Sequence, residues 1–101
     1  MDKSNVIDIA KEFAKVVKKK YEYKNIILFG SYAKGNSRNE SDIDIAIVFK
    51  DYDDSIDMQL ELMRLRRKID TRIEPHPFKE IDFNNMNPIV NEILKYGYEI
   101  L

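Results

Sequence analysis

The sequence predicts an α/β (α+β) domain built on a small mixed sheet. Two observations carry this. Short apolar runs of strand length alternate with segments whose apolar residues recur at helical spacing. One of those runs, Ile43-Asp44-Ile45-Ala46-Ile47-Val48-Phe49, is dominated by β-branched residues. The length of 101 residues suits one domain spanning residues 1–101 and leaves no room for a second.

The elements follow in order. Residues 5–20 place Val6, Ile9 or Ala10, Phe13, Val16 and Val17 on one helical face, with lysines opposite. Lys18-Lys19-Lys20 reads as a solvated helix end favoured by the helix dipole. Residues 25–29 (Asn-Ile-Ile-Leu-Phe) form a short buried strand. Gly30 lacks a Cβ, so the backbone can turn sharply there and approach a ligand closely. Ser31 is a candidate N-cap for a short helix that Gly35 ends. After residues 36–40 comes the strand 43–49. Residues 50–55 form a charged turn in which Asp54 or Ser55 caps a second helix running to about Lys68, with Met58, Leu62, Leu65 and Ile69 as its apolar stripe. Residues 70–74 read as a third strand, stopped by Pro75 and Pro77. Residues 79–86 are a loop. Asn87 caps a last helix with Pro88 at its first position and Gly97 past its end, and residues 98–101 form a short terminal strand.

Composition narrows the function. Hydrophobic residues make up 44 % of the chain and charged residues 35 %, a globular balance. The net charge of −1 supplies no basic field, which argues against direct nucleic-acid binding. With no cysteine, disulfides and thiolate metal sites are excluded. No run is long enough to span a membrane and no secretory signal is visible, so a cytoplasmic location is expected.

The chemistry lies in Gly30-Ser31 and, ten residues on, Asp42-Ile43-Asp44. Side chains alternate along a strand, so Asp42 and Asp44 share one face while Ile43, Ile45 and Ile47 take the other. Carboxylates about 7 Å apart on one strand face can converge on hard cations. Magnesium suits them, because it takes few carboxylates and completes its octahedron with water and phosphate oxygens. Two such ions about 4 Å apart clamp the attacking and leaving oxygens of an in-line displacement at phosphorus. A helix start at Ser31 offers N–H groups to phosphate.

The segment from Ile26 to Phe49, with its Phe-Gly-Ser-Tyr-Ala-Lys-Gly wording, resembles the signature of the nucleotidyltransferase superfamily related to DNA polymerase β. Its small size is similar to the minimal nucleotidyltransferase (MNT) branch, whose members pair with HEPN-domain proteins as antitoxin and toxin. The resemblance implies a short, twisted, mixed sheet with helices on one side. It implies transfer of AMP from ATP (NMP from an NTP) to an acceptor hydroxyl, with Asp42 and Asp44 on two Mg2+ ions and Gly30 and Ser31 on the phosphates. It also implies a third carboxylate from the strand after the second helix. Glu74 and Asp70 compete for that role, and Glu74 is favoured because the strand body precedes it and a loop follows; relatives often carry Asp there.

Other residues stay open. Lys34 and Arg38 are candidates to neutralise a triphosphate. Ser41 is placed to hydrogen-bond the turn, and Tyr32 and Tyr52 either stack on a base or pack ordinarily. His76, the only histidine, lies between two prolines as an exposed loop residue or a contact to substrate or partner. Only 27 residues follow Glu74, so a partner is expected to supply the acceptor. By resemblance that partner is a HEPN toxin whose tyrosine is AMPylated, docked on the Met58, Leu62 and Leu65 stripe or on the last helix. A homodimer is also open. The alternatives are a non-catalytic antitoxin that acts by binding, and a transferase acting on a small molecule or an RNA end.

Overall fold

Helix and strand signals resolve, in the computed structural model, into four helices and four strands over the described residues, 3–35 and 41–100. In chain order they are α1 (Lys3–Lys18), β1 (Asn25–Phe29), α2 (Ser31–Lys34), β2 (Ile43–Phe49), α3 (Ser55–Leu65), β3 (Ile73–Lys79), α4 (Pro88–Tyr96) and β4 (Tyr98–Glu99). The sheet order is β3-β2-β1-β4. β1 runs antiparallel to β2 and β4, and β2 runs parallel to β3. A parallel pair needs a crossover, and α3 supplies it.

The helix ends follow their local chemistry. The Asp54 carboxylate accepts the backbone N–H groups of Ile56 and Asp57 at 2.9 and 3.0 Å and starts α3. Past Leu65 that helix tightens into a 3-10 turn, Arg66–Lys68. The Asn87 side chain accepts from the N–H of Ile89 at 3.0 Å, and Pro88 occupies the first turn of α4.

Alternation on β2 divides the interior. Ile43, Ile45, Ile47 and Phe49 join Ile26, Leu28 and Ile73 beneath α1 and α3, which contribute Phe13, Val17, Leu62 and Leu65. The opposite face holds Ile27, Phe29 and Ala46 against Ile93 of α4, with Phe78 and Phe83 beside them. Thus α1 and α3 take the side expected for the helices, and α4 covers part of the other. The stripe expected to serve as a docking face is core: Leu62 and Leu65 are buried and Met58 packs against them. The exposed apolar residues of α3 are Ile56 and Leu60, and those of α4 include Leu94. Tyr32 is buried in the core, which removes it from base stacking.

The third strand departs from expectation. It begins at Ile73 and runs through both prolines to Lys79, in continuous register from Ile43↔Ile73 to Phe49↔Lys79. The reason is its position at the sheet edge. A strand residue projects its N–H and C=O to the same side, and here the carbonyls of Ile73, Pro75 and Pro77 point outward. They accept Arg66 Nη1 at 2.7 Å, Gln59 Nε2 at 2.7 Å and the Tyr52 hydroxyl at 3.4 Å. The prolines therefore lack only N–H groups that would have faced away from β2, where proline is tolerated. The same side chains and prolines close this edge to further strand pairing. Tyr52 serves that edge and packs edge-on to Phe49 at 5.9 Å.

Candidate active site

The site forms at one end of the second sheet face, where β1 hands over to α2. Gly30 sits at φ 77°, ψ −151°, a backbone region essentially restricted to glycine. It, and not Ser31, is the N-cap of α2; Ser31 is the first helical residue. A Cβ at Gly30 would stand 2.3 Å from Asp44 Oδ2. Only a bare Cα lets this turn lie against that carboxylate.

Asp44 occupies the centre. It is opposite Phe29 of β1 on one side and Glu74 of β3 on the other. Hydrogen-bonded neighbours are about 4.8 Å apart, so Asp44 and Glu74 share a face as near neighbours. Asp42 lies just ahead of β2 and is exposed. His76 is two residues beyond Glu74 and opposite Ala46. Its Nε2 lies 3.1 Å from Asp44 Oδ1, and its ring meets Phe29 edge-on at 5.0 Å.

The other candidates fall elsewhere. Asp70 precedes β3 in a turn, so strand alternation does not apply to it, and Arg72 Nη2 binds its carboxylate at 2.6 Å. That bond holds the Asp70 carboxyl below its ordinary range. Lys34 pairs with Glu92 of α4 and stands 5.1 Å over the Tyr96 ring. The hydrogen bond to Glu92 raises the lysine pKa. Arg38 lies outside the described residues.

His76 is the residue that sequence reasoning left aside. Reading Pro75 and Pro77 as a stop hid the alternation Glu74, His76, Phe78. Two prolines spaced by two, with polar or aromatic residues between, also fit an edge strand.

Among the described residues, no three His, Asp or Glu side chains stand together as a ready metal cage. The donor chemistry nevertheless suits magnesium. Asp42, Asp44 and Glu74 offer only hard oxygens, the donor type magnesium takes.

A Gly-Ser turn thus lies against a strand aspartate on a small mixed sheet. The chain belongs to the family described as Polymerase beta, Nucleotidyltransferase, whose profile matches residues 11–100. A candidate protein adenylyltransferase of Methanocaldococcus jannaschii is 42 % identical over 67 residues, 65 % of this chain and 67 % of that protein. A second from the same organism is 33 % identical over 96 residues, 95 % of this chain and 90 % of that one. A third is 52 % identical over 56 residues, and there the match spans about half of each protein: 52 % of this chain and 56 % of the relative.

Solved structures show the same fold. A candidate nucleotidyltransferase from Sulfolobus solfataricus superposes with a TM-score of 0.71 at 22 % identity, covering 96 % of this chain and 80 % of that one. A toxin–antitoxin structure with AMP-PNP gives 0.68 at 23 % identity, covering 90 % and 72 %. The tri-AMPylated HEPN toxin of Shewanella oneidensis in complex with its MNT antitoxin gives 0.63 at 20 % identity, covering 98 % and 71 %. Among the described residues, no helix is long and apolar enough to cross a membrane.

Proposed function

We propose that this protein transfers AMP from ATP to a hydroxyl of a partner protein, in the manner its relatives' names describe. The observation that carries this reading is the contact between Gly30 and the Asp44 carboxylate, with Glu74 in register beside it.

In the reaction the acceptor oxygen attacks the α-phosphorus. The bond to the β-phosphate bridging oxygen breaks and pyrophosphate leaves. Gly30 and Ser31 seat the β- and γ-phosphates at the start of α2. Lys34 would have to leave Glu92 and Tyr96 to reach them, so the cradle is assigned to Gly30 and Ser31. Asp42, Asp44 and Glu74 would hold two Mg2+ ions, which supply charge neutralisation around the phosphates. Glu74, on the edge strand β3, receives the proton of the acceptor hydroxyl. The protein's contribution is chiefly positioning and electrostatics.

The partner in this reading is a HEPN protein, by analogy with the tri-AMPylated HEPN toxin in complex with an MNT antitoxin that shares the fold, and the acceptor is a tyrosine of that partner. The face offered to it is the exposed Ile56 and Leu60 side of α3, next to His76 and the site.

The test is incubation of the HEPN partner with α-labelled ATP and Mg2+. Label on the partner with wild-type protein, reduced about 100- to 1,000-fold with Asp44→Asn, is expected. A tight complex that never takes up label would overturn transfer in favour of neutralisation by binding.

A further inference from the structure

The orientation of Asp44 needs a cause. The terminal torsion of an aspartate is soft and roughly two-fold, so its carboxylate does not hold one orientation unaided. Here the two oxygens are distinguished from opposite sides. Oδ2 faces Gly30, where a Cβ would stand 2.3 Å away. Oδ1 faces β3, where His76 Nε2 stands 3.1 Å away. A carboxylate only accepts, so the imidazole nitrogen at this contact carries the proton and donates it.

The histidine itself is held. Pro75 and Pro77 fix φ on both sides of it. Their carbonyls are bound by Gln59 and Tyr52, which anchors the backbone at either flank. Across the strand pair stands Ala46, whose small side chain gives the ring room to lean toward Asp44. Phe29 closes the other side at 5.0 Å. The imidazole thus arrives at Asp44 with little freedom left to lose.

We propose that His76 is a positioning residue for Asp44: its Nε2–H holds Oδ1 and so presents Oδ2 to the phosphate cradle at Gly30. This rests on the nucleotidyltransferase reading above. Outer hydrogen-bond partners of this kind are worth about 10- to 100-fold in metal affinity or activity where measured.

Two variants separate the hydrogen bond from mere packing. His76→Phe keeps an aromatic ring against Phe29 and removes the donor. His76→Gln keeps an N–H donor near the Nε2 position. With Mn2+ and a non-hydrolysable ATP analogue as the probe, His76→Phe is expected to weaken binding about tenfold, and His76→Gln to restore it to within about threefold of wild type. Both should melt as single cooperative transitions. A nitrogen-15 NMR spectrum of the metal-free protein should place the imidazole proton on Nε2, and Asp44→Ala should abolish that preference.

A proton on Nδ1, or equal losses in the Phe and Gln variants, would overturn the positioning role. Unaltered probe binding in His76→Phe, with binding still lost in Asp44→Ala, would overturn it too while leaving the transferase intact. Unaltered binding in Asp44→Ala as well would remove the nucleotide site itself.

Discussion

The two faces of the sheet are made from the same strand yet do different work. Under α1 and α3, β2 contributes Ile43, Ile45, Ile47 and Phe49, all nearly or fully buried. On the opposite face the same strand runs from Asp44 through Ala46 to Val48, and α4 covers only its apolar part through Ile93. The uncovered end carries Asp44, Glu74 and His76. One face is therefore a completed core, and the other is half core and half chemistry. On the function proposed above, stability and activity fall to neighbouring residues that differ only in the direction they point.

Asp44 and Ile45 put this contrast to its sharpest test. Asp44→Asn removes a negative charge that would hold Mg2+ but retains a hydrogen-bond acceptor for His76, so activity should fall as stated above while stability changes by less than about 1 kcal/mol. Ile45 is fully buried. Ile45→Ala should cost about 2–5 kcal/mol in urea unfolding and leave activity per folded molecule unchanged. If Asp44→Asn unfolded the domain, or Ile45→Ala selectively abolished transfer, the division between faces would be wrong.

Gly30→Ala joins the two regions, because it strains the backbone and drives a methyl into Asp44 Oδ2. It should lower stability by about 1–3 kcal/mol and activity by more than that loss explains, seen as probe binding weakened even below the melting temperature.

The smallest effect belongs to Asp70, which precedes β3 and pairs with Arg72. Its folded pKa lies below the ordinary value of 3.8, through its bond to Arg72. A depressed carboxyl contributes stability above its unfolded pKa and loses it as pH falls through the folded value. Asp70→Asn should thus destabilise by about 1 kcal/mol at neutral pH, with the difference from wild type shrinking only as pH falls below the ordinary value of 3.8 and through the lower folded one, and leave transfer unchanged. A large loss of activity would return Asp70 to the candidate ligands.

Much of this was legible beforehand. The Asp42-x-Asp44 alternation, the Asp54 and Asn87 caps and the helical stripe of α1 each depend on residues within one or two turns of one another. The course of β3 was not. Proline normally ends a strand because a central strand needs every N–H, and only knowledge that β3 lies at the edge removes that objection. The alternation that sets His76 on the Asp44 face was lost with it. The Met58, Leu62 and Leu65 stripe was legible as apolar, but whether α1 and the sheet or a partner covered it was not.

The order of residues alone determined which side chains of each strand point together, since a period of two is set by the local backbone. It also placed the glycine turn before the aspartates. Only the folded chain decided that β3 pairs with β2 in the register that sets Glu74 beside Asp44 and lets His76 reach its carboxylate. Register and edge position are long-range choices, made by which apolar faces α1, α3 and α4 can cover at once, and no local pattern encodes them.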